Sequence, residues 1–166
     1  MKIAGLEQSL LRVRDFQLRT DPPLIVRLTA LPLAFMERLR MKMPAPVQPQ
    51  QTITQMGGKT TLVPDESDSP AAMRWRKEDH EDDIAVTAAI VHEALRGDQS
   101  ITWESDPTKF KTHRDYLLAL HKELEDAGFS SGEVSRIAKA VGEMSSLDDE
   151  GLAKAKGFLP ETGKAP

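Results

Sequence analysis

A mainly α fold with a small N-terminal β-hairpin is predicted, as a compact helical domain carrying a long flexible Pro/Gln-rich insertion. Three observations predict it. β-branched stretches flank a proline turn near the start, and apolar residues recur at helical spacing through much of 84–141. Between these lies a segment of prolines, glutamines and paired glycines at 44–69. The expected organisation is an extended hairpin segment with a first helix at 1–43, a flexible linker or arm at 44–69, a helical domain at 70–159 and a disordered tail at 160–166.

In the first segment, "RVRDFQLRT" alternates imperfectly and "LIVRLTAL" is rich in β-branched residues, which suits paired strands. "TDPP" between them supplies turn chemistry, an aspartate before two residues of fixed φ. A helix should follow. Pro32 suits its first turn, Met36, Leu39 and Met43 share one face with Phe35 beside them, and Pro44 stops it. Glu37, Arg38, Arg40 and Lys42 take the other side.

The insertion holds Pro44, Pro46, Pro49, Pro64 and the Gly57-Gly58 pair, which deny it a regular helix. Its length is unusual for a loop, so an arm or partner-binding segment is expected. "TITQM" and "KTTLV" could still pair as a small hairpin around the two glycines.

Ser69 and Pro70 open a long helix as N-cap and first helical residue. Its first half is heavily charged and should face water, while Ile84, Ala88, Val91 and Leu95 make a buried stripe and Gly97 ends it. "SITWES" reads as extended. Asp106-Pro107 then leads into a helix striped by Phe110, Leu117, Leu120 and Leu124, closed by Gly128. Ser130 with Glu133 forms a capping box for the next, whose apolar face is Val134, Ile137, Ala138 and Val141. A short helix is expected in "SLDDEGLAKAKGFLP".

Composition narrows the function. The chain has 166 residues, enough for one domain, but only 39% are hydrophobic and 5% aromatic, so small apolar surfaces are expected rather than one thick core. A net charge of −4 argues against a dedicated nucleic-acid binder, which draws its affinity from phosphate neutralisation. Charge is uneven: about +4 falls in 1–43 and about −8 in the remainder, a polarity that could steer self-association or a partner, or simply solvate a hairpin surface. With no cysteine, disulfides, thiolate metal sites and cysteine nucleophiles are excluded. Glu7, Arg12 and Arg14 interrupt the opening apolar runs, so no signal peptide is expected there. No stretch has the ~20 apolar residues a membrane helix needs, and a cytoplasmic location is the expectation.

Motifs with chemistry fare poorly. "HEALR" begins like a zinc-protease helix, but the second ligand position, four residues after His92, is the permanent cation Arg96. His113 and His121 are two turns apart, too far to share a metal unaided. The acidic run "EDHEDD" lacks the glycine turn of a calcium loop and reads as a solvated helix face. "MGGKTT" resembles part of a phosphate loop, yet Ile53 stands where its first glycine belongs and no helical pattern follows Lys59. No nucleophile, base and orienting group can be assembled, so no catalytic, metal or cofactor site is expected.

One positive feature is the crowding of Met36, Met41, Met43, Met56 and Met73 around the first helix and the arm. Methionine is flexible and polarizable, suited to accepting varied apolar helices, or to ordinary core filling. The candidate partner-binding residues are Phe35, Met36, Leu39 and Met43.

Taken in order, the segments resemble the tail assembly chaperones of long-tailed bacteriophages. The likeness rests on "VRLTALPLAFMERLRM", on "IAVTAAIVHEALRGDQSITWESD" and on "DDEGLAKAKGFLP", and spans roughly residues 16–159. The arm and the charged start of the long helix depart from that family's pattern. The resemblance implies a non-enzymatic protein of the host cytoplasm that coats the aggregation-prone tape measure protein until tail-tube subunits polymerise around it. No cofactor, nucleic acid or membrane is implied. A structural virion component, such as a neck or baseplate adaptor, and a small protein-binding regulator are the competing expectations.

Overall fold

The computed structural model describes residues 13–145, so the helix expected after Ser145, the tail at 160–166 and the first twelve residues lie outside it. The described residues form four α-helices and two separate two-stranded antiparallel sheets, and they divide into two units. The first takes the residues up to Leu33, Ile90–Thr102 and those from Ser131 onward; the second takes Ala34–Ala89 and Trp103–Ser130. The expected segments 1–43, 44–69 and 70–159 follow the chain in order, whereas each of these units joins separate stretches of it. Contacts that set the units join residues far apart in sequence, and periodicity does not report them.

In the first unit, β1 (Val13–Thr20) and β2 (Pro23–Thr29) form the expected hairpin around Asp21-Pro22, whose peptide bond is cis. The register shifts between Gln17 and Arg19, a bulge that sets one extra residue in β1 against β2. Leu18, Val26 and Leu28 are buried, while Asp15 and Arg27 pair across the outer face at 3.2 Å. α4 (Ser131–Ser145) packs on this hairpin and buries Val134, Ile137, Ala140 and Val141. Ala140 takes the place expected for Ala138, which is only half-buried.

α1 (Phe35–Lys42) belongs to the second unit. Pro32 stands outside it: Ala34, the N-cap, has φ 61°, and that left-handed residue separates the proline from the first helical turn. Pro44 follows the C-cap Met43, as expected of a residue that cannot extend a helix. Within the insertion, β3 (Gln50–Thr54) pairs with β4 (Thr60–Pro64) in the hairpin that its sequence allowed. Gly57 and Gly58 turn it with φ of 105° and 77°, a conformation open to glycine at no steric cost.

α2 (Pro70–Leu95) starts where Ser69 Oγ accepts the Ala72 amide at 3.1 Å. Its buried residues are not quite the expected stripe. Ala85, Ala88 and Ala89 serve the second unit and Val91, Ala94 and Leu95 the first, whereas Ile84 is only half-buried. Gly97 follows it without a left-handed φ; a Cβ there would stand 2.9 Å from Thr29 Oγ1, so close approach accounts for this glycine.

After a 3-10 turn at Pro107–Lys109, α3 (His113–Asp126) begins at the Thr112 N-cap. The Asp106-Pro107 pair therefore caps that turn rather than α3. Tyr116, Leu117 and Leu120 of α3 join Leu39, Met43, Ala85, Ala88 and Ala89 in one buried cluster, edged by Phe35, Val86, Trp103, Phe110 and Leu118. Small alanines on α2 leave room for the larger side chains of α1 and α3.

Candidate partner-binding surface

The four candidate residues of α1 do not share one fate. Leu39 and Met43 are core residues, Phe35 is half-buried against that core, and Met36 is 41% exposed. In the folded chain Met36 is accessible at the surface, and Leu39 and Met43 are not. Three further methionines are exposed in the same unit: Met41 (83%), Met73 (50%) and Met56 at the β3–β4 tip. Met41 lies off the apolar stripe of α1, which is why its spacing did not mark it.

Sequence reading also missed a buried charge. The run "EDHEDD" is not wholly solvated: the Asp82 side chain is 4% exposed and accepts Arg40 Nη1 at 2.7 Å and Arg114 Nη2 at 3.1 Å. Arg114 Nη2 also donates to the Pro44 carbonyl at 3.4 Å. One available signal was position, since Asp82 lies three residues before Ala85 and seven before Ala89, on the buried face.

Asp65 is buried beside the start of α2, where it accepts Ser67 N at 3.0 Å, Ser67 Oγ at 2.5 Å and Ser69 Oγ at 2.6 Å. Those hydrogen bonds, led by the Ser67 hydroxyl, hold its carboxyl below the usual aspartate range. Asp106 is lowered in the same way by Thr108.

In the first unit, Arg19 and Glu133 form a bidentate ion pair through Nε–Oε1 and Nη2–Oε2. Arg136 donates to the Leu18 carbonyl at 2.8 Å and the Gln17 carbonyl at 3.3 Å, with its guanidinium 5.6 Å from the centre of the Phe16 ring. Gln17, Leu18, Arg19 and Arg136 line an open depression of about 410 Å³ with Thr20 and Asp21. Asp98 accepts the Arg27 amide at 2.7 Å and is bonded by Ser100; burial opposes its charge, but these bonds outweigh it and its pKa is lowered.

The chemical motifs can now be placed. Arg96, the residue after α2, lies 3.8 Å from Glu93, so the "HEALR" string holds a local ion pair where a zinc ligand would stand. His121 faces Glu125 at 3.8 Å, and Lys59 precedes a strand rather than a helix. Among the described residues no group of three or more His, Asp or Glu side chains converges as a metal site. No described helix is long and apolar enough to cross a membrane.

No family model, curated protein or solved structure matches the chain.

His113, at the start of α3 and 5.9 Å from the Tyr116 ring, has its pKa lowered first by burial and then by Lys42. The unfolded chain thus takes up the proton first, and stability should fall as pH drops below the ordinary histidine value near 6.5. The lowered aspartates act in the same direction, but only below about pH 4. Urea melts between about pH 7.5 and 5 should show this loss in wild type and a flatter profile in His113→Gln. An unchanged slope in the variant would assign the loss elsewhere.

Proposed function

We propose that the chain is a non-enzymatic tail assembly chaperone of the long-tailed phage type, shielding the tape measure protein before tube subunits polymerise around it. The observation that carries this reading is the exposure of Met36, Met41, Met56 and Met73 in one unit. These side chains sit on α1, on the tip of the β3–β4 hairpin and on the first turns of α2. Soft apolar contacts spread over several elements suit a long helical client whose apolar stripes vary along its length. Each contact is weak, so incoming tube subunits can displace the chaperone stepwise. The resemblance of the chain's sequence segments, taken in order, to that family adds support.

The test is co-expression of the tagged chain with the rest of its source genome, followed by identification of what co-purifies. Recovery of a very long, helix-rich protein is expected. Met36→Asp combined with Met41→Asp should weaken that capture about tenfold or more, as the loss of two apolar contacts implies, while far-UV helicity is retained. Recovery with tube or baseplate subunits in finished particles would make the chain a structural virion component instead.

A further inference from the structure

The two hairpins treat their edges in opposite ways. β1 offers its Gln17 and Leu18 carbonyls to Arg136, and β2 gives its Arg27 amide to the carboxylate of Asp98. Side chains thus blunt both edges of the first hairpin, as folded proteins commonly arrange. Among the described residues no side chain caps the edges of β3 or β4 in this way. Nine of their ten residues are exposed, and Lys59 in the turn is the lone charge between Pro49 and Pro64.

Antiparallel geometry says which backbone groups face outward. Gln55 N donates to Lys59 O and Asp65 N to Pro49 O, both at 2.8 Å, and hydrogen-bonded pairs recur every second residue between them. Gln51–Val63 and Ile53–Thr61 are therefore the inward-bonded pairs, while Thr52–Leu62 and Thr54–Thr60 direct their amides and carbonyls away from the hairpin. Pro64 also faces outward, so its missing N–H costs the hairpin nothing.

The geometry points to β4 as a self-association edge, its occupant being β4 of a second copy of this chain, antiparallel across a two-fold axis at Leu62. In that register Leu62 exchanges both backbone bonds with its counterpart, and each Thr60 amide meets the other copy's Pro64 carbonyl. Lys59 at the tip of one hairpin lies beside Asp65-Glu66 at the base of the other. Asp65 is engaged by Ser67 and Ser69, so the exposed Glu66 is the acid that Lys59 meets. Antiparallel pairing thus places opposite charges together twice, whereas parallel pairing would align Lys59 with Lys59. The pairing also covers Leu62, which is 64% exposed, and turns a two-stranded ribbon, marginal alone, into a four-stranded sheet. Pro64 ends the ladder and disfavours slipped registers. β3 lacks that charge complementarity, since it carries no charged residue.

This inference does not rest on the tape measure reading: a dimer without client capture, or capture by a monomer, separates the two. So small an interface implies a weak dimer, with a Kd on the order of 10–100 µM. Sedimentation velocity on the full chain across about 1–500 µM should show that monomer–dimer equilibrium. Leu62→Pro removes the central outward donor without breaking an internal hairpin bond and should weaken association about tenfold or more. Thr52→Pro does the same on β3 and should leave the dimer unchanged. Lys59→Glu should weaken it about fivefold, and adding Glu66→Lys should restore it. A wild type that stays monomeric overturns the proposal, as does loss of the dimer in Thr52→Pro rather than Leu62→Pro. Should Leu62→Pro lose its far-UV spectrum, the charge swap decides: rescue supports the β4 edge, and its failure refutes it.

Discussion

Leu39→Asp is expected to unfold the second unit, whereas Met36→Asp, three residues away on the same helix, is expected to leave it folded. Leu39 is 5% exposed within the cluster that holds Tyr116, Leu117 and Leu120. Truncating such a leucine costs about 3–5 kcal/mol, and placing an unpaired carboxylate in the site adds a desolvation penalty. The total, about 5 kcal/mol or more, reaches the whole stability of many domains. Met36 keeps much of its surface in water, so an aspartate there should change stability by less than about 1 kcal/mol. Fluorescence of Trp75 and Trp103, both in the second unit, reports the difference in a urea titration. A cooperative wild-type transition in Leu39→Asp would mean that α1 is not part of the core. The contrast also guards the functional test, because lost client binding is informative only in a variant that still folds.

That contrast shows what was legible in the sequence. Met36, Leu39 and Met43 share a face by spacing, but an i, i+3, i+7 stripe is equally the mark of a core face and of a binding face. The core claimed most of it. The more telling residue was Met41, apolar yet off the stripe, with no core role to explain it. Elements with strong local signals were legible: the hairpin at Asp21-Pro22, the Ser69-Pro70 helix start, and the stripes Leu117-Leu120-Leu124 and Val134-Ile137-Val141. Gly57-Gly58 likewise pointed to the second hairpin. What stayed hidden lies in partners distant along the chain. Arg19 and Glu133 are 114 residues apart and Arg40 and Asp82 are 42 apart. Periodicity carries no information on such pairs, so neither the grouping of the hairpin with α4 nor the arginine partners of Asp82 could be read, although its spacing from Ala85 and Ala89 placed Asp82 on the buried face.

Asp82→Ala is the second large effect, expected to cost about 3 kcal/mol, because removing one member of a buried ion pair strands the others. The stranded cations are not equivalent. Arg40 is 36% exposed and can turn its guanidinium into water, so it should contribute little to the loss. Arg114 is 25% exposed, and its Nε is buried with no hydrogen-bond partner among the described residues. Its Nη2 would retain only the long contact to the Pro44 carbonyl. The penalty should therefore couple to Arg114 above all. In an Arg114→Met background, Asp82→Ala should lose about 1–2 kcal/mol of its effect, whereas an Arg40→Met background should relieve it by less than about 0.5 kcal/mol. Additive losses in the first pair would show that Asp82 acts through packing alone. Replacing all three with Leu, Met and Met is expected to be close to neutral, since hydrophobic substitutes of similar volume escape the desolvation that the ions incur. Stability near wild type in that triple variant, beside a damaged Asp82→Ala, would separate the cost of a stranded cation from any net contribution of the network.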